Sequence, residues 1–266
     1  MKYYFFFLLV IVFYACSSSE EKNNAVDKQT EQSLVDSFTQ KINQYRDCTD
    51  FRLDYVMALD SLSQYDAAIN QLDTLLMTDS LNSEYWLMKA QFQESNRDTV
   101  EAINSYEKAI IIYPSETNQL YLANLLAEKK DKDALVLCTN VARMGMGKVT
   151  DANCSFIAGV YYARTGQNDK AIALFEKAIN DNYTLMEAYL EQGFIYYDLK
   201  NFSTASAIFE KAITVNKMYA DAYYWKAKCD EELGKPIEAK LNYQRAAALD
   251  KSMTAAVEAI NRLDKQ

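Results

Sequence analysis

Histidine is absent from the 266 residues, and only 6 glycines and 2 prolines are present. Without an imidazole there is no Ser-His-Asp triad, no Cys-His pair, no carboxylate-histidine-zinc site and no imidazole-held haem. Average proteins carry about 7% Gly and about 5% Pro, so this scarcity leaves too little turn chemistry for a many-stranded sandwich or barrel. It points to helices joined by short turns. Positive charge is also scarce: 28 Lys and Arg face 37 Asp and Glu, a net charge of −9. Such a surface repels phosphate backbones, and nucleic acid is not an expected partner.

Long apolar runs are equally rare. The one that stands out is Tyr3 to Ala15, thirteen residues behind Lys2 and followed by Cys16-Ser17-Ser18-Ser19-Glu20-Glu21. A membrane-crossing helix needs about 20 residues, so this run suits the apolar core of a signal peptide at 1–15 and predicts export. Ala15-Cys16 resembles the lipobox of bacterial lipoproteins, although Phe13 and Tyr14 are bulkier than that motif usually carries. The resemblance implies that Cys16 becomes the lipidated first residue, with membrane attachment through its acyl chains. The alternative is an ordinary secretory signal in which Cys16 is incidental. Residues 16–30 are rich in Ser, Asn and charge without apolar periodicity, the composition of a solvated tether. Ser after the lipid-bearing Cys resembles outer-membrane sorting in Gram-negative bacteria, with periplasmic and surface-facing placement both open. Of the remaining cysteines, Cys48, Cys138, Cys154 and Cys229 show no metal-ligand spacing and suit small buried hydrophobes. Cys138 and Cys154 are the only pair close enough in sequence to suggest a disulfide.

A fixed offset of 34 residues organises the rest. Gly159, Gly193 and Ala227 obey it, as do Ala171, Ala205 and Ala239; Phe175, Phe209 and Tyr243; and Ala178, Ala212 and Ala246. Trp86, Ala90, Ala102, Tyr106, Ala109 and Pro114 fit the same template, and Val56, Ala68, Leu72 and Leu75 fit it one unit earlier. The stretch 117–151 is out of phase, which predicts a short turn at Lys130-Asp131 and a longer glycine-containing connection at Met144 to Gly147. The pattern resembles the tetratricopeptide repeat, a family of 34-residue helix-turn-helix units. The resemblance covers residues 49 to 253 and implies an all-α fold, a right-handed superhelical solenoid of six units at 49–82, 83–116, 117–151, 152–185, 186–219 and 220–253. Small residues mark the places where helix backbones approach closely, and the aromatic beside them fills the gap. An exposed apolar end needs a cap. Helices at 31–48, with Leu34, Phe38, Ile42 and Tyr45 on one face, and at 254–266 are expected to supply them.

In that family the first helix of each unit lines a concave groove where ligand peptides lie. Places 2, 5, 6, 9, 12 and 13 of a unit share that face by helical periodicity. They nominate a peptide-binding groove of Phe156, Val160, Leu190, Glu191, Phe194, Tyr197, Asp198, Tyr224, Trp225 and Lys228, aromatics among carboxylates. Chaperone-binding members carry a basic clamp at these places. Here they are mostly acidic or apolar, so the expected partner is a protein or peptide with a basic or aromatic-apolar segment. The leading reading is a lipid-anchored, non-enzymatic scaffold of a bacterial envelope assembly, needing no metal and no cofactor beyond the lipid on Cys16. Its layout resembles the pilotin and outer-membrane-assembly lipoproteins, an analogy of architecture only. The alternative is a glycan-binding or glycan-processing module using paired carboxylates, Glu187 with Glu191 or Glu231 with Glu232.

Overall fold

A computed structural model describes residues 33, 35–42 and 48–265. The sites expected at Cys16, the tether, Leu34 and Tyr45 lie outside them. Among the described residues there is no strand. The chain divides at Asn118/Gln119 into two compact units. The first holds α1 (35–42), α2 (Thr49–Ser61), α3 (Tyr65–Thr78), α4 (Ser83–Ser95) and α5 (Thr99–Ile112). α6 (Glu116–Glu128) begins there and continues into the second unit, which goes on with α7 (Asp133–Arg143), α8 (Lys148–Arg164), α9 (Asn168–Asp181), α10 (Met186–Asp198), α11 (Phe202–Val215), α12 (Ala220–Glu232), α13 (Pro236–Leu249) and α14 (Thr254–Leu263).

The turns inside the helix pairs explain how a glycine-poor chain reverses direction. Each uses one residue in the left-handed region: Ser63, Arg97, Lys130, Gly166, Lys200 and Gly234. In every one the next amide donates back across the turn, as Asn201 does to the Tyr196 carbonyl at 2.8 Å and Lys235 to that of Asp230 at 2.8 Å. These are Schellman closures, which satisfy carbonyls the helix end leaves open. Four of the six are made without glycine, at a cost of about 1–2 kcal/mol each for the crowded Cβ. The connection after α7 does use glycine: Gly145 and Gly147 sit at φ 65° and 102°. It runs from Met144 to Gly147 as expected, between Arg143 and Lys148, so α8 starts ahead of the unit boundary placed at 152.

Packing inside the repeats follows two alternative rules. Where the twenty-fourth place is Phe, the eighth is Gly: Phe175 with Gly159, and Phe209 with Gly193. A Cβ on Gly193 would lie 2.4 Å from Cε1 and Cζ of Phe209, and one on Gly159 would lie 2.6 Å from Cε1 of Phe175. Where the twenty-fourth place is Tyr, the eighth is Ala and the twelfth is Glu. The Tyr106 hydroxyl donates to Glu94 at 2.8 Å and the Tyr243 hydroxyl donates to Glu231 at 2.5 Å. The same two repeats bury a polar pair alongside, Ser105 Oγ donating to Gln93 at 2.7 Å and Asn242 Nδ2 donating to Asp230 at 2.8 Å. In the two Phe repeats the equivalent places are apolar or aromatic, Tyr162 with Leu174 and Tyr196 with Ile208. The ring slot is thus either held by a hydrogen bond at its tip or filled tightly against bare backbone.

Both ends are covered. On α1, Val35 is buried and Phe38 lies 6.2 Å from Tyr55 of α2, with Thr39 and Tyr55 hydroxyls 3.0 Å apart. Ile42 is half-buried. At the other end α14 buries Ala256 and Ala259 in the cluster of Tyr243 and Ala246 and leaves Val257 in solvent. Within the second unit buried residues gather in clusters around Phe175, Tyr243 and Phe209.

Candidate functional site

The first helices α8, α10 and α12 of the second unit carry the candidate groove residues. α10 buries eight of its thirteen residues, because α9, α11 and the neighbouring first helices cover most of its circumference. Burial corrects part of the expected groove. Val160 and Leu190 are 1% exposed, Phe156 lies 5.8 Å from Phe175 in the core, and Trp225 is 8% exposed. A partner cannot reach the first three, and Trp225 supports the surface from beneath.

What remains open is an aromatic shelf. Phe194, Tyr197, Tyr224 and Lys228 are half-buried and Asp198 is exposed. Phe194 lies 4.6 Å from Trp225, Tyr197 lies 5.6 Å from it edge-on, and Tyr224 lies 5.7 Å from it near perpendicular. Tyr197 also meets Phe202 edge-on at 5.2 Å. The structure therefore brings Phe194, Tyr197, Tyr224 and Trp225 into one cluster from two successive first helices. Lys228 lies over it, its Nζ 5.4 Å from the Trp225 ring and 5.8 Å from that of Tyr197, within range of the quadrupole attraction of both rings.

The carboxylates beside the shelf are mostly engaged in structure. Arg164 of α8, at a place the acidic reading of this face left out, holds Glu128 of α6 and Glu191 of α10 together. Its Nε and Nη2 donate to Glu128 at 2.8 and 2.9 Å, and its Nη1 and Nη2 donate to Glu191 at 2.8 and 2.9 Å. Burial alone would lower the arginine's pKa; the two carboxylates overrule it and hold the guanidinium charged more firmly than usual. One cation thus ties three successive first helices. The signal in the sequence was the place it occupies, the thirteenth of its unit. Glu231 is likewise committed, accepting from Tyr243 and from Arg262 of α14 at 2.8 Å. Neither carboxylate pair considered for glycan chemistry is left as a facing pair in a cleft: Glu191 and Glu231 both serve as helix ties. Among the described residues no group of three or more acidic or cysteine side chains could hold a metal ion, and no helix is long and apolar enough to cross a membrane.

Electrostatics at the rim follow from burial. Asp198 is pushed above the usual carboxylate range by desolvation and by Glu191. Asp221 is raised by desolvation and by Asp250, and the Tyr219 phenol is raised by desolvation, Glu187 and Asp221. The Cys229 thiol, beneath Trp225, is pushed up to about 12 by burial and by Asp230.

Sequence models of the tetratricopeptide repeat match residues 54–117, and again 152–180, 187–217 and 220–253, more than half of the chain in all. No curated protein sequence matches. Among solved structures, a tetratricopeptide repeat protein from Parabacteroides merdae aligns with a TM-score of 0.71 at 15% identity, over 93% of this chain and 97% of its own. PilW, a widely conserved type IV pilus biogenesis factor, aligns with 0.63 at 16% identity, over 79% of this chain and 97% of its own. Yeast Tom70 aligns with 0.61 at 15% identity, over 93% of this chain and 60% of its own. At such identities the likeness is one of fold. The matched repeats, the all-helical fold and the 34-residue register together place the chain in the tetratricopeptide repeat family.

Proposed function

We propose that this chain is a non-catalytic adaptor, lipid-anchored through Cys16 at the outer membrane of a Gram-negative bacterium, which holds a protein partner within an envelope assembly. The partner segment lies on the shelf of Phe194, Tyr197, Tyr224 and Lys228. The observation that carries this reading is a contiguous aromatic surface, half open and backed by the buried Trp225, whereas apolar patches without a partner are normally small or scattered. With Glu191 and Glu128 both engaged by Arg164, the shelf suits an aromatic-apolar segment, and a basic residue beside it would meet Asp198. Binding hot spots favour such aromatic anchors.

The test is a photo-crosslinking residue at Tyr197 in the full chain, expressed in intact cells. A discrete crosslinked partner should form and be lost in a Phe194→Ala/Tyr224→Ala variant that keeps its helical signal. An undiminished crosslink in that variant would move the site elsewhere. Anchorage is tested separately: a Cys16→Ala chain should no longer label with fatty acid, and persistent labelling would remove the anchor from the proposal.

A further inference from the structure

Cys138 on α7 and Cys154 on α8 are both nearly buried, 6% and 7% exposed, in one apolar cluster with Ala134, Val141 and Ile157. Their helices pack against each other on either side of the turn, and each thiol acts on the other, raising Cys138 and lowering Cys154. Between them runs the connection turned by Gly145 and Gly147, both at positive φ. α7 is short, with 11 residues, its first amide, of Asp133, donates to the Asp131 carboxylate at 3.0 Å, and the strip after it exposes Met144, Met146 and Val149. Cys229 sits in a different cluster and Cys48 in the other unit.

We propose that Cys138 and Cys154 form a disulfide that staples α7 to α8 across the glycine turn. The oxidant class is a low-molecular-weight disulfide such as oxidised glutathione. Cys154 loses its proton to solvent and its thiolate attacks one sulfur of that disulfide, forming a mixed disulfide and expelling one thiolate. Cys138, deprotonated in turn, attacks the Cys154 sulfur and expels the second thiolate. Two protein thiols are oxidised by two electrons, and one external disulfide is reduced to two thiols. Because both thiols already lie in one buried cluster, closing to the ~2.05 Å of a disulfide asks for side-chain rotation and a shift of α7 toward α8. The neighbouring Cys154 and burial hold the Cys138 proton in place, so exchange in the folded protein waits for α7 to open. Closing a loop of about 15 residues should lower the opening of α7 by roughly a hundredfold.

The test uses the full chain with millimolar oxidised and reduced glutathione in two arms, the folded protein and the protein refolded from urea, each then alkylated and mapped by mass spectrometry. The expected result is a peptide pair linked through Cys138 and Cys154 in the refolding arm at least, absent from Cys138→Ala, in a protein whose α7 amides exchange hydrogen about a hundredfold more slowly than in the reduced form. Free thiols at both positions in both arms, glutathione adducts alone, or a linked protein whose α7 amides exchange no more slowly than in the reduced form would each overturn the proposal. None of these readouts depends on the anchor or on the shelf.

Discussion

Replacing Gly193 with alanine tests the packing rule of the Phe repeats. Ala is the better helix former by about 1 kcal/mol, so in an open helix the change would stabilise. Here the new Cβ meets Cε1 and Cζ of Phe209 at 2.4 Å and Cδ1 at 3.1 Å, against about 3.5–4.0 Å for relaxed carbon contacts. The ring cannot move aside: Phe209 is 0% exposed, with Phe194 at 6.1 Å and Trp225 at 6.4 Å around it. Overpacking costs about 1–3 kcal/mol, and two ring atoms in conflict place it near the top of that range. The net expectation is a loss of about 1–2 kcal/mol. Urea unfolding of the full chain in a Trp86→Phe background reads this repeat through Trp225, which shares a buried cluster with Phe209. Gly159→Ala should lose less, since its contacts with Phe175 are 2.6 and 2.8 Å. Adding Phe209→Leu to Gly193→Ala should cost less than the sum of the two single changes, because the clash goes with the ring. A neutral or stabilising Gly193→Ala would refute the reasoning.

Lys200→Gly should work in the opposite sense, stabilising by roughly 1 kcal/mol because Lys200 sits at φ 59° in a turn that asks for no Cβ; a thermal melt that falls would count against the Schellman reading. Arg164→Gln should destabilise the second unit by about 2–3 kcal/mol, since it leaves Glu191, at 9% side-chain exposure, without its cation. Glu128→Gln, at 39%, should cost under about 1 kcal/mol in the same denaturation series. Asp221 has a folded pKa above its ordinary 3.8, so its protonated form favours folding and stability is lost as pH rises from the ordinary value through the raised one; Asp221→Asn should flatten that part of the stability profile and raise the melting temperature at neutral pH. Trp225→Ala should cost about 3–5 kcal/mol as a core deletion, while Tyr224→Ala costs much less, and equal losses in calorimetry would mean that the shelf is not a surface.

The repeat was legible in the residue order because its physics is local and recurrent. A small residue every 34 places, with an aromatic sixteen residues after the first of them, is needed wherever two helices of this length meet, so the pattern declares the helical fold without any coordinates. The absence of histidine and the shortage of lysine and arginine narrowed the chemistry in the same way, since composition does not depend on who touches whom. Place number also brought Phe194, Tyr197, Tyr224 and Trp225 onto one face. It could not say how deep that face lies. Val160 and Leu190 share the helical phase of the shelf yet are closed off, because exposure is set by the neighbouring repeats that pack over them. Nor could it separate a carboxylate offered to a partner from one holding the fold together: Glu191 and Asp198 belong to the same helix, but only the first meets an arginine that starts 27 residues earlier. Secondary structure and register follow from the periodicity of one chain segment, whereas accessibility and charge pairing are properties of the distances between segments, and those exist only once the helices have packed.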